Sequence, residues 1–305
     1  MPVIARRNLA KFGLAATALA GAARAQAGVL VDFTPVPLPA QAPAKQAVAV
    51  LPNAKLAYWD TGAGREAVIL LHPTTGSYLV WSYQQPVFAA AGYRTIGYSR
   101  RGFAGSDAGT GQGGDTQDLV DFLNYLGIRR FHLVSTAAGA FTGLDFAVNH
   151  QDRLLTITLA CSITGSDGAG TGPARERIRP AGFNALPPSF QELSPSYRAA
   201  NADGMALWES LQRRSRSAPA AGGPSAMPKI TAAQLRNVTT PVLLIAGGAD
   251  LIAPPPLMRA LTTLLPNSTL TEIPDTGHSA YWEQPKIFNR LILDFIGQNA
   301  GRAST

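Results

Sequence analysis

The sequence predicts an α/β domain: a mostly parallel central sheet with helices on both faces and an inserted segment. Three observations predict it. The continuous apolar run at 67–71 and the apolar-rich stretches at 154–160 and 242–246 have the pattern of strands buried on both faces, as in a parallel sheet. Segments with helical periodicity fall between these runs, and strands that alternate with helices place helices on both faces of the sheet. Finally, Phe131-His132-Leu133-Val134 leads into the small residues Ser135-Thr136-Ala137-Ala138-Gly139-Ala140, and a helix-like stretch, 141–149, follows. A strand turning sharply into a helix reads this way, because a strained tip residue needs small neighbours where backbone packs close on both sides.

The elements are justified in chain order. Residues 1–27 read as an export signal: Arg6-Arg7 precede an apolar stretch, 12–23, too short to span a bilayer comfortably. Ala25-Gln26-Ala27 offers small residues for cleavage before Gly28, and the arginine pair resembles a twin-arginine signal. The expectation is an exported, periplasmic protein with no stable membrane span after cleavage. Residues 28–45 are rich in Pro and Ala and read as an extended linker. A hairpin follows at 46–60, turning at Pro52-Asn53, then the strand at 67–71. A helix is expected at 81–91, a strand at 93–99, and an amphipathic helix at 116–126 with Leu119, Phe122, Leu123 and Leu126 on one face. After the strand-turn-helix at 131–149 comes the strand at 154–160. From 162 to 235 Gly, Pro, Ser and Arg dominate, with helix-like pieces at 188–200 and 202–214, so this is an insertion and not a sheet layer. Strands resume at 242–246 and 269–273, with helices at 255–265 and 284–298. The core is therefore expected at 46–161 and 236–300, and the insertion at 162–235.

Composition narrows the function. With 305 residues, 46% apolar and 15% charged, the chain buries a sizeable core and is not disordered. The formal charge of +7 includes Arg6, Arg7, Lys11 and Arg24; subtracting those four leaves +3, which gives no reason to expect nucleic acid as a partner. Cys161 is the only cysteine, so no disulfide forms within the chain. No cofactor is expected, and the expected partner is a small-molecule substrate.

Five segments together resemble the α/β-hydrolase superfamily, in its lid-containing esterase, lactonase and haloperoxidase-like branch. His72-Pro73-Thr74-Thr75-Gly76-Ser77 resembles that family's His-Gly-x-x-Gly-Ser oxyanion loop. Gly97-Tyr98-Ser99-Arg100-Arg101-Gly102-Phe103-Ala104-Gly105-Ser106-Asp107 resembles the Asp-x-Arg-Gly-x-Gly-x-Ser turn after the fourth strand. Ser135-Thr136-Ala137-Ala138-Gly139 stands in the register of the Gly-x-Ser-x-Gly nucleophile elbow. Gly247-Gly248-Ala249-Asp250-Leu251-Ile252-Ala253-Pro254 resembles the acid loop, and Pro274-Asp275-Thr276-Gly277-His278-Ser279 the histidine loop. The resemblance implies an α/β-hydrolase fold and makes the insertion at 162–235 a lid.

It also implies roles. His278 would be the general base and Asp250 the acid that fixes its tautomer. Asp275 competes for the second role but suits a turn. The backbone N–H groups of Thr74 and Ala138 would form the oxyanion hole. His72, Thr136, Ser279 and Tyr281 are candidates to line the pocket. Three departures matter: Pro73 stands where Gly is usual, Ser99 where Asp is usual, and Ala137 at the nucleophile position, with no nucleophilic atom. Thr136 and Cys161 are weaker candidates to replace it; a lone cysteine is more often a small buried hydrophobe. Arg175, Arg177 and Arg179, with Arg213, Arg214 and Arg216, form two basic clusters that either read an anionic substrate group or lie on a solvated surface. Trp208 offers an aromatic wall or simple packing.

Three functions remain open. One is hydrolysis of a small ester or lactone, or cleavage or rearrangement through an enolate, by a His-Asp pair with no serine nucleophile. The second is a noncatalytic small-molecule-binding protein, and the third an ordinary serine hydrolase with Ser changed to Ala at 137.

Overall fold

The computed structural model describes residues 31–163, 177–217 and 229–300. The expected export signal at 1–27 and Arg175 lie outside the described residues.

The strands are β1 (Lys45–Val50), β2 (Lys55–Asp60), β3 (Ala67–Leu71), β4 (Arg94–Tyr98), β5 (Phe131–Thr136), β6 (Leu154–Ala160), β7 (Val242–Gly247) and β8 (Ser268–Ile273). They form one sheet in the order β1-β2-β4-β3-β5-β6-β7-β8. β1 and β2 make the expected hairpin, and β2 lies antiparallel on β4. Every other pair is parallel. Strands β3, β5 and β7 are buried along their whole length, as the unbroken apolar runs of β3 and β7 require; β5 also buries His132, Ser135 and Thr136.

Side chains alternate across the sheet, so each strand feeds two cores. Ile69, Leu71, Leu133, Ile157 and Leu244 face one core with Leu119, Phe122 and Leu123 of α2 (Asp115–Tyr125) and Leu144 and Phe146 of α3 (Gly139–His150). Val68, Leu70, Val134, Leu243 and Ile245 face the other, with Phe88, Phe288, Ile292 and Ile296. Fully burying each such side chain contributes about 1.5–3 kcal/mol, so the two cores fix the sheet and with it the loops at its ends.

Two helices differ from expectation. The segment 81–91 begins as a short 3₁₀ turn, Tyr78–Trp81, and the α-helix α1 spans only Gln85–Ala90, with a proline at its start. Pro86 suits a helix entry, where no N–H is needed. The single helix expected at 188–200 is two, Pro188–Glu192 and Pro195–Ala200. Pro195 cannot donate to the preceding turn, and Ser194 caps the second helix by accepting from the N–H of Tyr197 at 3.1 Å. This break places Glu192 at the end of one helix. The extended residues 31–44 are strapped to the domain: the Tyr83 hydroxyl donates to Val36 O at 2.6 Å, and Gln85 exchanges two hydrogen bonds with the backbone of Ala42. Among the described residues no helix is long and apolar enough to cross a membrane.

Candidate active site

The segments singled out in the sequence meet at the C-terminal ends of the parallel strands, where open α/β sheets gather their sites. β3 runs into His72–Ser77, β5 into Ala137, β7 into Asp250, and β8 into His278.

At the end of β5 the backbone turns through Ala137, which has φ +50°. A non-glycine residue in this region carries about 1–3 kcal/mol of strain, so the surroundings must hold it there. They do so by the Ala137 N–H donating to Ala160 O at 3.0 Å and by close packing of α3 on β3. A Cβ on Gly139 would sit 2.5 Å from Leu71 O and 2.8 Å from His72 O, which is why only glycine fits. The neighbours of Ala137 point elsewhere. Ser135 is fully buried and donates to Thr158 O at 2.8 Å, under Gly143 of α3. Thr136 is also fully buried, and its hydroxyl has no partner. Ala137 is 8% exposed, so of the three it is the one that reaches open space.

Asp250 and His278 form a buried pair. His278 Nδ1 lies 2.8 Å from Asp250 Oδ2. The other oxygen of Asp250 accepts the N–H groups of Ile252 at 2.7 Å and Ala253 at 2.9 Å. Pro254, not Asp250, is the N-cap of the helix Pro255–Thr262. Asp275, the competing acid, is exposed at φ +55° and accepts from the Ser196 hydroxyl at 2.7 Å, the turn role its neighbours suit. Burial works against a charged His278, but the charge of Asp250, its hydrogen bond and the charge of Glu192 outweigh burial and raise the pKa.

Two other histidines are buried among the described residues, and both are fully committed. His72 Nδ1 lies 2.7 Å from Pro73 O, and its Nε2 accepts the Arg100 N–H at 3.0 Å. Burial, then the charge of Arg100, pushes its pKa well down, so it is a neutral brace between two loops and does not line a pocket. His132 bonds Thr156 and Glu66 at the other end of the sheet. Of the three buried histidines among the described residues, only His278 has a ring nitrogen, Nε2, with no hydrogen bond. The backbone N–H groups of Thr74 and Ala138 are likewise undonated there.

The departures at Pro73 and Ser99 are absorbed locally. Pro73 O accepts from Gly76 N at 3.2 Å and from His72, while the Ser99 hydroxyl accepts from Tyr78 N at 3.2 Å. Arg100 and Arg101 tie the following turn to α2 through Asp115 at 2.9 Å and Asp118 at 2.5 Å.

The inserted helices pack on the histidine loop. Glu192 O accepts the N–H groups of His278 at 2.7 Å and Ser279 at 3.2 Å. The Glu192 carboxylate accepts the Ser279 hydroxyl at 2.9 Å, and Ser279 accepts from Trp208 Nε1 at 3.2 Å. Glu283 accepts the N–H groups of Gly277 at 3.0 Å and Ser194 at 3.2 Å. Burial pushes Glu283 up to about 7, and its hydrogen bonds oppose the rise. Tyr281 is buried against Trp81, ring centroids 5.1 Å apart, with its hydroxyl beside Ser279 and Trp208. Thus Ser279 and Tyr281 stand at the site, while Cys161 is buried behind it at φ +47°, its thiol pushed well up by burial. Sequence reasoning missed Glu192, a lone acid in a segment without a motif.

The basic clusters do not form an anion site among the described residues. Arg177, Arg213, Arg214 and Arg216 are exposed, Arg213 pairs with Glu209, and Arg216 lies over Phe103. Arg179 lies over the Phe183 ring, and its charge reaches His278. Two open hollows of about 640 and 440 Å³ lie at the opposite, N-terminal end of the strands, both lined by Arg129 and Arg130. They lack the converging groups found around His278.

The family model described as the alpha/beta hydrolase fold matches residues 66–285, and the chain belongs to that family. It is a hydrolase of this fold. A 2-hydroxy-6-oxononadienedioate/2-hydroxy-6-oxononatrienedioate hydrolase of Paraburkholderia phymatum is 29% identical, over 79% of this chain and 90% of its own length. Among solved structures, a thermophilic esterase from Thermogutta terrifontis matches with a TM-score of 0.67 and 23% identity, covering 84% of this chain and 99% of that one. The enol-lactonase from Burkholderia xenovorans LB400 matches with a TM-score of 0.65 and 20% identity, covering 82% and 100%. At these identities the structural likeness speaks to the fold.

Proposed function

We propose that this enzyme hydrolyses a small ester or lactone, or cleaves or rearranges a substrate through an enolate, without forming an acyl-enzyme. The observation that carries the proposal is the buried pair of Asp250 and His278, 2.8 Å apart, facing a strained elbow whose tip residue is Ala137. Neutral His278 donates from Nδ1 to Asp250, which leaves Nε2 as the base. Nε2 takes a proton from a water that attacks the carbonyl carbon, and the methyl side chain of Ala137 leaves room for that water. The N–H groups of Thr74 and Ala138, with the N-terminus of α3, hold the developing negative charge. The tetrahedral intermediate collapses when the leaving oxygen receives a proton. The helices Pro188–Arg213 act as a lid over this reaction. Relatives whose names read as an oxononadienedioate hydrolase and an enol-lactonase support this substrate range. The twin-arginine-like Arg6-Arg7 supports a periplasmic site of action.

The test is kinetic, on a panel of lactones and esters. His278→Ala should lower kcat/KM by about 10³-fold or more; equal turnover by wild type and variant would end the proposal. Ala137→Ser separates this mechanism from a serine hydrolase that has lost its serine. A site built for direct water attack gains little or loses activity, whereas a decayed serine hydrolase gains several orders of magnitude.

A further inference from the structure

We propose that Glu192 is the second proton-transferring group of this site, delivering a proton to the leaving oxygen while His278 takes one from water. The inference rests on the mechanism proposed above. That mechanism leaves one demand unmet. His278 holds the proton of the attacking water, and the leaving oxygen is a different atom.

Glu192 is placed to meet the demand. It is 7% exposed, and its backbone carbonyl accepts two N–H groups of the histidine loop, those of His278 and Ser279, so its position is locked to the base. Gly277 allows this closeness, since any Cβ there would collide with the Glu192 carbonyl and lie 2.7 Å from Glu283 Oε1. Its carboxyl lies between the histidine loop and the oxyanion loop: it accepts from Ser279 at 2.9 Å and feels the nearby Thr75 hydroxyl.

Two comparisons separate Glu192 from a carboxylate that only fastens the lid. Glu283 does the fastening, since both of its oxygens accept backbone N–H groups, one from each side of the junction. The Glu192 carboxyl takes only hydroxyls, those of Ser279 and Thr75, and no backbone N–H among the described residues. The second comparison concerns the hydroxyls. Tyr281, 1% exposed, sets its hydroxyl beside Ser279 and Trp208 and close to Glu192, and the Thr75 hydroxyl lies against the Glu192 carboxyl. Hydroxyls can turn from one acceptor to another, so a buried carboxyl surrounded by hydroxyls, and not fixed by backbone N–H groups, can exchange a partner for a polar ligand. Burial raises the pKa of Glu192, opposed first by the charge of His278, and this helps the carboxyl carry a proton.

The balance closes. Water gives a proton to His278 Nε2 and its oxygen bonds to the carbonyl carbon. The carbon–oxygen bond to the leaving group breaks, and the Glu192 carboxyl gives that oxygen its proton. A proton passes from imidazolium back to Glu192 through the site or the solvent, and both groups are reset.

The experiment compares leaving groups. Glu192→Gln keeps the volume and an acceptor for Ser279 but has no acidic proton. It should lower kcat on aliphatic lactones and alkyl esters about 100-fold or more, and on p-nitrophenyl esters, whose phenolate leaves unprotonated, less than about tenfold. Ser279→Ala, which removes the same hydrogen bond but keeps the carboxyl, should show no such split, and Glu192→Asp should restore part of the alkyl-ester rate. Thermal melting of each variant checks that it folds. Equal losses on both substrate classes, or the same split in Ser279→Ala, would overturn the role of Glu192 while leaving the base intact. Turnover that His278→Ala does not change would overturn the mechanism beneath it, and this proposal with it.

Discussion

Replacing Asp250 with Asn tests the base directly, and the structure sets the size of the effect. In the wild type one Asp250 oxygen accepts the N–H groups of Ile252 and Ala253, at 2.7 and 2.9 Å, and the other faces His278 Nδ1 at 2.8 Å. Asparagine has one oxygen and one NH₂. Turning the NH₂ toward the two backbone donors would strand both, at about 1–3 kcal/mol each. The oxygen therefore stays with Ile252 and Ala253, and the NH₂ faces Nδ1. Nδ1 must then accept, which puts the ring proton on Nε2, the nitrogen required to take a proton from water. Reaching the active tautomer needs the stranded arrangement, at about 2–6 kcal/mol, a loss of roughly 30-fold to 10⁴-fold in kcat/KM. The pH profile moves as well. Burial already opposes a charged His278, and the charge and hydrogen bond of Asp250 with the charge of Glu192 raise its pKa above the usual value, so wild-type activity should rise with pH through a midpoint above 6.5. Asp250→Asn removes the largest raising cause, so the limb should move to lower pH while the plateau falls. A kcat/KM profile on a lactone measures both, and nitrogen-15 NMR of the imidazole reads the tautomer. A plateau within threefold of wild type, or an unchanged Nδ1–H tautomer, would refute the reasoning.

Two other perturbations follow from the packing. Gly139→Ala places a Cβ 2.5 Å from Leu71 O, a backbone atom that cannot swing away, so α3 must shift from β3. Chemical denaturation should show a loss of about 1–3 kcal/mol, and kcat should fall too because Ala138 moves with the helix; unchanged stability would contradict the close approach. Glu283 has its pKa raised from 4.5 to about 7 by burial, with hydrogen bonds to Ser194 and Gly277 opposing the rise. A folded pKa above the unfolded one gives stability that is full below pH 4.5 and lost as pH rises through about 7, on the order of 3 kcal/mol in all. Glu283→Gln should abolish the pH dependence of that loss, at a constant cost of about 1–3 kcal/mol for the one backbone N–H that its NH₂ strands, so the melting temperature of wild type should fall toward that of the variant as pH rises through about 7; parallel curves would count against it.

Much of this fold was legible because its strands obey simple rules. Ala67–Leu71 is an uninterrupted apolar run and Leu154–Ala160 an apolar-rich one broken only by Thr156 and Thr158, and their bounds in the structure match those read from sequence. Helix boundaries were less legible where proline and serine compete with periodicity. The helix at 188–200 breaks because Ser194 caps and Pro195 cannot donate, signals that were present but outweighed by apolar spacing. The base and its acid carry local signatures: each follows a strand and sits in a Gly-containing loop. Asp250 could be confused with a helix cap because its second oxygen does accept two N–H groups, as a cap would.

Glu192 had no such signature, and the reason is physical. A loop motif is legible when neighbours in sequence make the geometry, as Gly139 does for the elbow. The surroundings of Glu192 are made by Thr75, Ser279 and Tyr281, which lie far from it in the chain and meet it only when the inserted helices close on the sheet. The same comparison bears on the role proposed for Ala137. The strain of φ +50° is retained at the tip of β5, with further left-handed non-glycine residues at Cys161 after β6 and Asp275 after β8. Strain of about 1–3 kcal/mol per residue persists only where the surroundings enforce it. An elbow freed from aiming a serine could relax, yet this one keeps its strain, its glycine contact with β3 and its neighbours' buried side chains. Its retained product is the N–H of half-buried Ala138 at the start of α3, with no acceptor among the described residues. That is what the reaction proposed above, with a developing oxyanion but no acyl-enzyme, would require of an elbow.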